Sequence, residues 1–292
     1  MNLDGKIASA NIKLRLAGET QLLIKQGRKA PHLCAILVGH NGASETYVAS
    51  KVKNCEEVGF RSSLIRYPDT VSEKELLDKI DAINKDGDID GLIVQLPLPA
   101  HINPQKICEA ITPSKDVDGF HPLNAGRLLQ NLPCYIPATP FGILMMLEHY
   151  QVRTSGLHAV VVGRSNIVGM PMSVLLGRNS SPGNCTVTLC HSKTRDMNEI
   201  LRSADLVVAA LGKPGFIGGD MVKDGVIVID VGITRVPDAT KKSGYRISGD
   251  VNFEEVAPKA SWITPVPGGV GLMTICGLLM NTLRSAKGEV TF

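Results

Sequence analysis

The chain is predicted to be an α/β protein made of two doubly wound domains, each with a parallel sheet. Short apolar runs alternate with longer amphipathic stretches from residue 32 to residue 96, in the order β-α-β-α-β. A second series of the same kind begins at residue 158, after an irregular stretch from 116 to 140 in which Gly, Pro and Asn are scattered. At 292 residues, 43% hydrophobic and 20% charged, the chain is long enough for two ordinary cores.

In order, His32–Val38 is apolar and reads as a buried strand. Residues 43–58 read as a helix, with Tyr47, Val48, Val52, Cys55 and Val58 at helical spacing. A weaker strand at 62–67 follows, then a helix at 72–83 that opens with Ser72 as N-cap and Glu75 three residues on. The strand at 92–96 is ended by Pro97 and Pro99. A helix at 140–150 holds the expected domain boundary. The second series has strands at His158–Val162, Thr186–Cys190, 206–211 and 226–231, with a helix at 171–176 that begins on proline. A last helix runs from 270 to 286. The division expected from this pattern is 1–140 plus the returning helix 270–288, and 141–269 as a Rossmann-like domain.

A net charge of +3 with no long basic run argues against a dedicated nucleic-acid binder. The start, Met1-Asn2-Leu3-Asp4-Gly5-Lys6, lacks the apolar core of a signal peptide, and no apolar run reaches the roughly 20 residues that span a bilayer. No membrane partner is expected. Seven cysteines, odd in number and without a CxxC, read as reduced core thiols of a cytoplasmic protein.

Strand His158–Val162 runs into Gly163-Arg164-Ser165-Asn166-Ile167-Val168-Gly169. A glycine turn from strand to helix N-terminus suits dinucleotide phosphates, because free N–H groups and the helix dipole favour an anion. Ser165 stands where the fingerprint has its second glycine, so a plain tight turn also fits. The next strand ends Cys190-His191-Ser192-Lys193-Thr194-Arg195 with no acid to hold a ribose 2′-hydroxyl. Hydroxyls and cations there, Ser192 among them, with Arg164 nearby, fit a 2′-phosphate and favour NADP over NAD; a solvated loop is the other reading. Ile233, after the strand ending at Val231, could pack on a nicotinamide face.

Ser44, Tyr47 and Lys51 share one helix face, which by spacing alone is more often an ordinary solvated stripe. Gln95 interrupts an apolar strand, between Val94 and Leu96, and a buried amide needs a partner. Asp118 precedes a glycine turn and could accept paired N–H groups of a heterocycle, or simply serve the turn. Pro267-Gly268-Gly269 opens the last helix and would let a flat ligand approach backbone.

Together these segments are distinctive. The motifs Tyr47-Val48-x-x-Lys51, Val94-Gln95-Leu96-Pro97-Leu98-Pro99, Lys115-Asp116-Val117-Asp118-Gly119, Gly163-Arg164-Ser165-x-x-Val168-Gly169-x-Pro171 and Pro265-Val266-Pro267-Gly268-Gly269-Val270-Gly271 occur in that order. The chain thereby resembles the methylenetetrahydrofolate dehydrogenase/cyclohydrolase family from about Leu3 to Ala286. The resemblance implies oxidation of 5,10-methylenetetrahydrofolate with NADP, hydrolysis of the methenyl product to 10-formyltetrahydrofolate, one cleft flanked by both domains, no metal, and a homodimer. Catalytic roles carry over to Lys51, Gln95, Tyr47 and Asp118, with Lys51 moving the proton. Cofactor contacts carry over to Gly163, Arg164, Ser165, Ser192 and Ile233. Substrate contacts carry over to Tyr47, Lys51, Val94, Gln95, Leu96, Asp118, Pro267, Gly268 and Gly269. Leu272 departs from the family pattern, which often has proline there. A dehydrogenase without cyclohydrolase activity, another two-domain NAD(P) dehydrogenase, and an inert folate-binding module are the competing readings; intact Lys51, Gln95 and Asp118 argue against the first and last.

Overall fold

The structure, a computed structural model, describes residues 1–241 and 244–292. The chain begins with α1 (Gly5–Lys25), β1 (His32–Val38), α2 (Gly42–Glu57), β2 (Arg61–Tyr67), α3 (Glu73–Lys85) and β3 (Gly91–Val94). There follow α4 (Pro104–Ala110), α5 (Pro122–Leu129) and α6 (Ala138–His149). The second series is β4 (His158–Val162), α7 (Gly169–Gly177), β5 (Thr186–Cys190), α8 (Met197–Ser203), β6 (Leu206–Ala209) and β7 (Ile227–Asp230). It closes with β8 (Thr234–Pro237), β9 (Tyr245–Ser248), α9 (Phe253–Val256), β10 (Trp262–Ile263) and α10 (Val270–Lys287).

The chain forms two compact units, one of residues 11–138 and 275–292, the other of 1–10 and 139–274. The first holds a parallel sheet of order β2-β1-β3. Its core packs Ile36, Leu76, Ile80, Leu92 and Ile107, the apolar faces of strands and helices together. The second holds a five-stranded parallel sheet of order β10-β7-β6-β4-β5, with β8 and β9 as a separate antiparallel hairpin. Val160, Val162, Leu201, Val207 and Val228 lie at its centre. The expected parallel sheets are present in both series. β5 lies on one side of β4 and β6 on the other, so the strand order reverses there, and ligand crevices of open α/β sheets form at the carboxyl ends beside such a point.

Each sheet is pinned at its amino end in the same way. The His32 N–H donates to Asp90 Oδ2 at 2.8 Å, and His32 Nε2 lies 2.7 Å from Ser63 Oγ on the neighbouring strand. The His158 N–H donates to Asp205 Oδ2 at 2.8 Å, and its Nε2 lies 2.9 Å from Thr188 Oγ1 on the neighbouring strand. The repetition is local and does not show as sequence similarity.

Several elements differ from the sequence reading. α1 was not expected: Asp4 Oδ1 caps it, accepting Lys6 N–H at 2.7 Å, but Ile7, Leu14 and Leu22 are exposed beside buried Ala8, Ile12 and Leu16, so no clean apolar stripe marks it. α5 lies in the stretch read as irregular, with the His121 side chain accepting the Leu123 N–H and Pro122 at its first turn. α6 begins at Ala138, and β3 stops at Val94, one residue before Gln95. The cap at Ser72 is present, its Oγ accepting Glu75 N–H at 3.2 Å.

Candidate active site

In the three-stranded unit, α2 carries Tyr47 and Lys51 one turn apart, with Lys51 Nζ 5.0 Å from the Tyr47 ring centroid. Lys51 is only 5% exposed. Its Nζ donates to Gln95 Oε1 at 3.2 Å. Gln95 Nε2 donates to the Leu96 carbonyl at 2.7 Å, so the amide is held with its oxygen toward the amine. The Gln95 backbone stays in the sheet's hydrogen-bonding line through its N–H to Ile36 O at 2.9 Å, which explains how a polar side chain stands at the carboxyl end of a buried strand. Val94 is buried behind it, and Leu96 and Tyr47 are half-buried. Burial holds the Lys51 ammonium below the ordinary lysine range, opposed by the negative charge of Asp118 and by Cys55. Burial also pushes the Cys55 thiol up to about 12, which leaves it inert.

Asp118 is half-buried, and among the described residues no donor bonds its carboxylate. Its neighbour Asp116 is the structural acid of the turn, accepting N–H groups from Phe120 at 3.1 Å, His121 at 2.8 Å and Asn124 Nδ2 at 2.8 Å. Burial raises Asp116 to about 7 against those three bonds. The segment is fixed from α10 as well: Asn281, fully buried, donates to Val117 O at 2.9 Å and Ile136 O at 2.7 Å.

In the five-stranded unit, Gly163 leaves β4 beside the end of β5, its N–H donating to Cys190 O at 2.9 Å. A Cβ on Gly163 would run into the carbonyl of Ala210, and one on Gly169 into the carbonyl of Gly163, so turn, helix start and β6 are packed backbone to backbone. Ser165 Oγ accepts the N–H of Val168 at 3.2 Å, serving the start of α7 itself. The N–H groups of Arg164, Ser165, Asn166 and Ile167 bond nothing among the described residues, which is the donor set an anion needs at a helix start. Arg164 and Ser192 are both exposed, at the ends of paired strands whose last residues, Val162 and Cys190, are in register.

Ile233 is 64% exposed at the end of β7. It lines two depressions, one with Ser165, Val168, Gly212 and Asp250, the other with Pro267, Gly268, Gly269 and Leu272. The glycine loop is braced by the start of the chain, where Gly5 N–H donates to Gly268 O at 2.9 Å. Thus Tyr47, Lys51, Gln95 and Asp118 form one electrostatically coupled group, and Ser165 with Ile233 and the 267–269 loop belong to the other unit.

The sequence reading gave no task to Asp116, Asn281, Asp230 or Asp250. Asp116 stands in the motif that holds Asp118, but nothing in that motif marks it as the acid that fixes the turn. The other three have no local motif: Asp250 bonds backbone 37 to 39 residues away and Asn281 bonds backbone 145 and 164 residues away. A lone polar residue inside an apolar stretch, as at Asn281, was the available signal. Among the described residues no group of three or more His, Cys, Asp or Glu could hold a metal ion, and no helix is long and apolar enough to cross a membrane.

Residues 3–118 match the catalytic domain of tetrahydrofolate dehydrogenase/cyclohydrolase, and residues 137–290 match its NAD(P)-binding domain. The bifunctional protein FolD of Cytophaga hutchinsonii is 58% identical over 284 residues, covering 97% of this chain and 98% of that protein. The solved structure of the bifunctional FolD enzyme from Campylobacter jejuni is 47% identical, covers 99% of both chains and superposes with a TM-score of 0.92. That of the Trypanosoma brucei methylenetetrahydrofolate dehydrogenase-cyclohydrolase, solved with NADP and an inhibitor, is 37% identical over 99% of this chain and 98% of that one, with a TM-score of 0.93. The chain belongs to the tetrahydrofolate dehydrogenase/cyclohydrolase family.

Proposed function

We propose that this chain oxidises 5,10-methylenetetrahydrofolate to the methenyl form with NADP and then hydrolyses it to 10-formyltetrahydrofolate. The observation that carries the reading is the buried Lys51 amine, bonded to the neutral amide of Gln95 and coupled to the half-buried Asp118. An amine whose charged form is disfavoured by burial is a free base at lower pH than an ordinary lysine, which favours proton removal from an attacking water.

Each residue then has a task. The Asp118 carboxylate, with lone pairs to spare, accepts the amino and ring N–H of the pterin. Tyr47 lines the ring system beside Lys51, and Val94, Gln95 and Leu96 form the strand-end wall. As water adds to the methenyl carbon, Lys51 takes its proton while Gln95 fixes the direction of the amine. The proton then passes to the ring nitrogen as that carbon–nitrogen bond opens, and the added hydroxyl gives up its remaining proton to Lys51, which releases it to solvent, leaving the formyl group on the other nitrogen.

NADP, when bound, supplies the hydride-accepting chemistry. The open N–H groups of 164–167 would hold its phosphates, with Gly163 giving backbone access. Arg164 and Ser192 would hold the 2′-phosphate, for which the absence of an acid at the end of β5 leaves room. Ser165 lines the depression, and Ile233 offers the nicotinamide an apolar face. The 267–269 loop, with cis Val266–Pro267, is assigned to the folate. Seven cysteine thiols, five of them buried, support a cytoplasmic setting, and family likeness supports a homodimer.

The test is direct. With 5,10-methylenetetrahydrofolate, NADP should be reduced faster than NAD, and methenyltetrahydrofolate should be hydrolysed without nucleotide. A chain that does neither would refute the proposal.

A further inference from the structure

Two buried carboxylates of the five-stranded unit bond no cation among the described residues. Asp250 is fully buried, and its Oδ2 accepts the N–H of Leu211 at 2.6 Å and of Gly212 at 3.0 Å, while Oδ1 accepts that of Lys213 at 2.7 Å. Asp230, 4% exposed, in turn accepts the Asp250 N–H at 2.9 Å and the Gly232 N–H at 2.9 Å on Oδ1, and the Val251 N–H at 3.1 Å on Oδ2. Backbone bonds continue the clamp: Gly215 N–H to Gly249 O at 3.0 Å and Ile217 N–H to Asp250 O at 3.0 Å. The turn so held follows β6, beside the reversal in strand order, and Gly212 lines the depression shared by Ser165, Val168 and Ile233.

We propose that Asp250 is a positioning residue for the dinucleotide, its carboxylate gathering three N–H groups to set the Leu211-Gly212-Lys213 turn that walls the nucleotide crevice. The inference rests on the NADP reading above. A buried negative charge here repels a phosphate-bearing ligand, so attraction does not explain it. Geometry does. A carboxylate is acceptor-only and satisfies all three donors with two oxygens, whereas an amide must turn its NH2 against one or two of them. Asp230 carries the same logic one layer deeper, fixing the backbone of Asp250 itself.

The experiment compares the wild-type chain with D250N, titrating NADPH by its fluorescence and measuring dehydrogenase KM and kcat at a temperature where both are folded. The expected result is a rise of about tenfold in NADPH Kd and NADP KM, equivalent to losing one well-made buried bond. The kcat at saturation should change by less than about threefold, because the loss is one of ground-state positioning. Unchanged or tighter nucleotide binding in folded D250N would overturn the assignment, tighter binding being the result if only charge mattered. Should D250N fail to fold, G212A replaces it: Gly212 has φ +68°, and a Cβ there meets nothing within 4 Å. Its strain should raise NADP KM by about fivefold, and an unchanged KM would overturn the assignment. A wild-type chain that binds no NADPH sinks the functional reading and this assignment together, while normal wild-type binding with unaffected variants sinks this assignment alone.

Discussion

Lys51 donates to the neutral amide of Gln95 rather than to a carboxylate, so desolvation outweighs the distant pull of Asp118 and its charged form is disfavoured. Two consequences share one sign. Cyclohydrolase activity should rise with pH through a group titrating below the ordinary lysine value of 10.5, since the neutral amine is the base in the mechanism we propose. Folding stability should also rise with pH between that lowered value and 10.5, because the unfolded chain binds the extra proton there, and the gain is lost as pH falls. K51M should remove both slopes and lower the hydrolytic rate by about two to four orders of magnitude. Methenyl hydrolysis and thermal melts across pH measure them, and a K51M enzyme with wild-type hydrolysis would end the assigned role. Tyr47, Lys51, Gln95 and Asp118 were legible because each stands in a recognisable local motif. The tasks of Asp116 and Asp250 were not legible: Asp116 holds partners four to eight residues on and Asp250 holds backbone 37 to 39 residues away, yet each looks in sequence like any turn acid.

At the level of elements, α10 is the informative case. It was legible as a helix after a glycine-proline loop, but its task was not. Asn281 projects from it to satisfy the carbonyls of Val117 and Ile136, which flank the segment bearing Asp118. Leucine at that position would leave two carbonyls without a donor, a loss of about 1–3 kcal/mol for each one that stays dry. N281L should therefore melt at lower temperature and raise the KM for methylenetetrahydrofolate more than that for NADP. Equal stability and equal KM values would show that the helix does not position the turn. The strands β1, β4 and β5 were read to the residue, β1 and β4 because a near-continuous apolar run bounded by breakers has one outcome in a parallel sheet, and β5 because its β-branched and apolar residues sit between breakers. The hairpin of β8 and β9 was missed, since none of its eight strand residues is buried and neither strand is apolar enough to stand out.

Across the whole molecule, the chain passes between its units inside three helices rather than in loops, at residues 10/11 in α1, 138/139 in α6 and 274/275 in α10. Each end of the chain thus belongs to a unit remote in sequence. Ending the chain at residue 274 would strip Leu278, Leu279 and Leu283, all 1% exposed or less, from the three-stranded unit. Truncating a buried leucine costs about 2–5 kcal/mol, and three of them rival the whole stability of a domain, about 5–15 kcal/mol. The truncated chain is expected to lose cyclohydrolase activity and to be cut by protease within 11–138, while 139–274 resists longer. Uniform resistance across both segments would contradict this.

The amino-acid order by itself determined the α/β class, the parallel pairing and the glycine turn after β4, because apolar periodicity, breakers and short motifs act over a few residues. Only the tertiary structure decided that the first ten residues join the unit of 139–274, that Lys51 is dry and faces an amide, and that Asp230, Asp250 and Asn281 hold backbone in place. Those depend on the sum of burial and hydrogen bonds from segments far apart in the chain, and no local pattern encodes that sum.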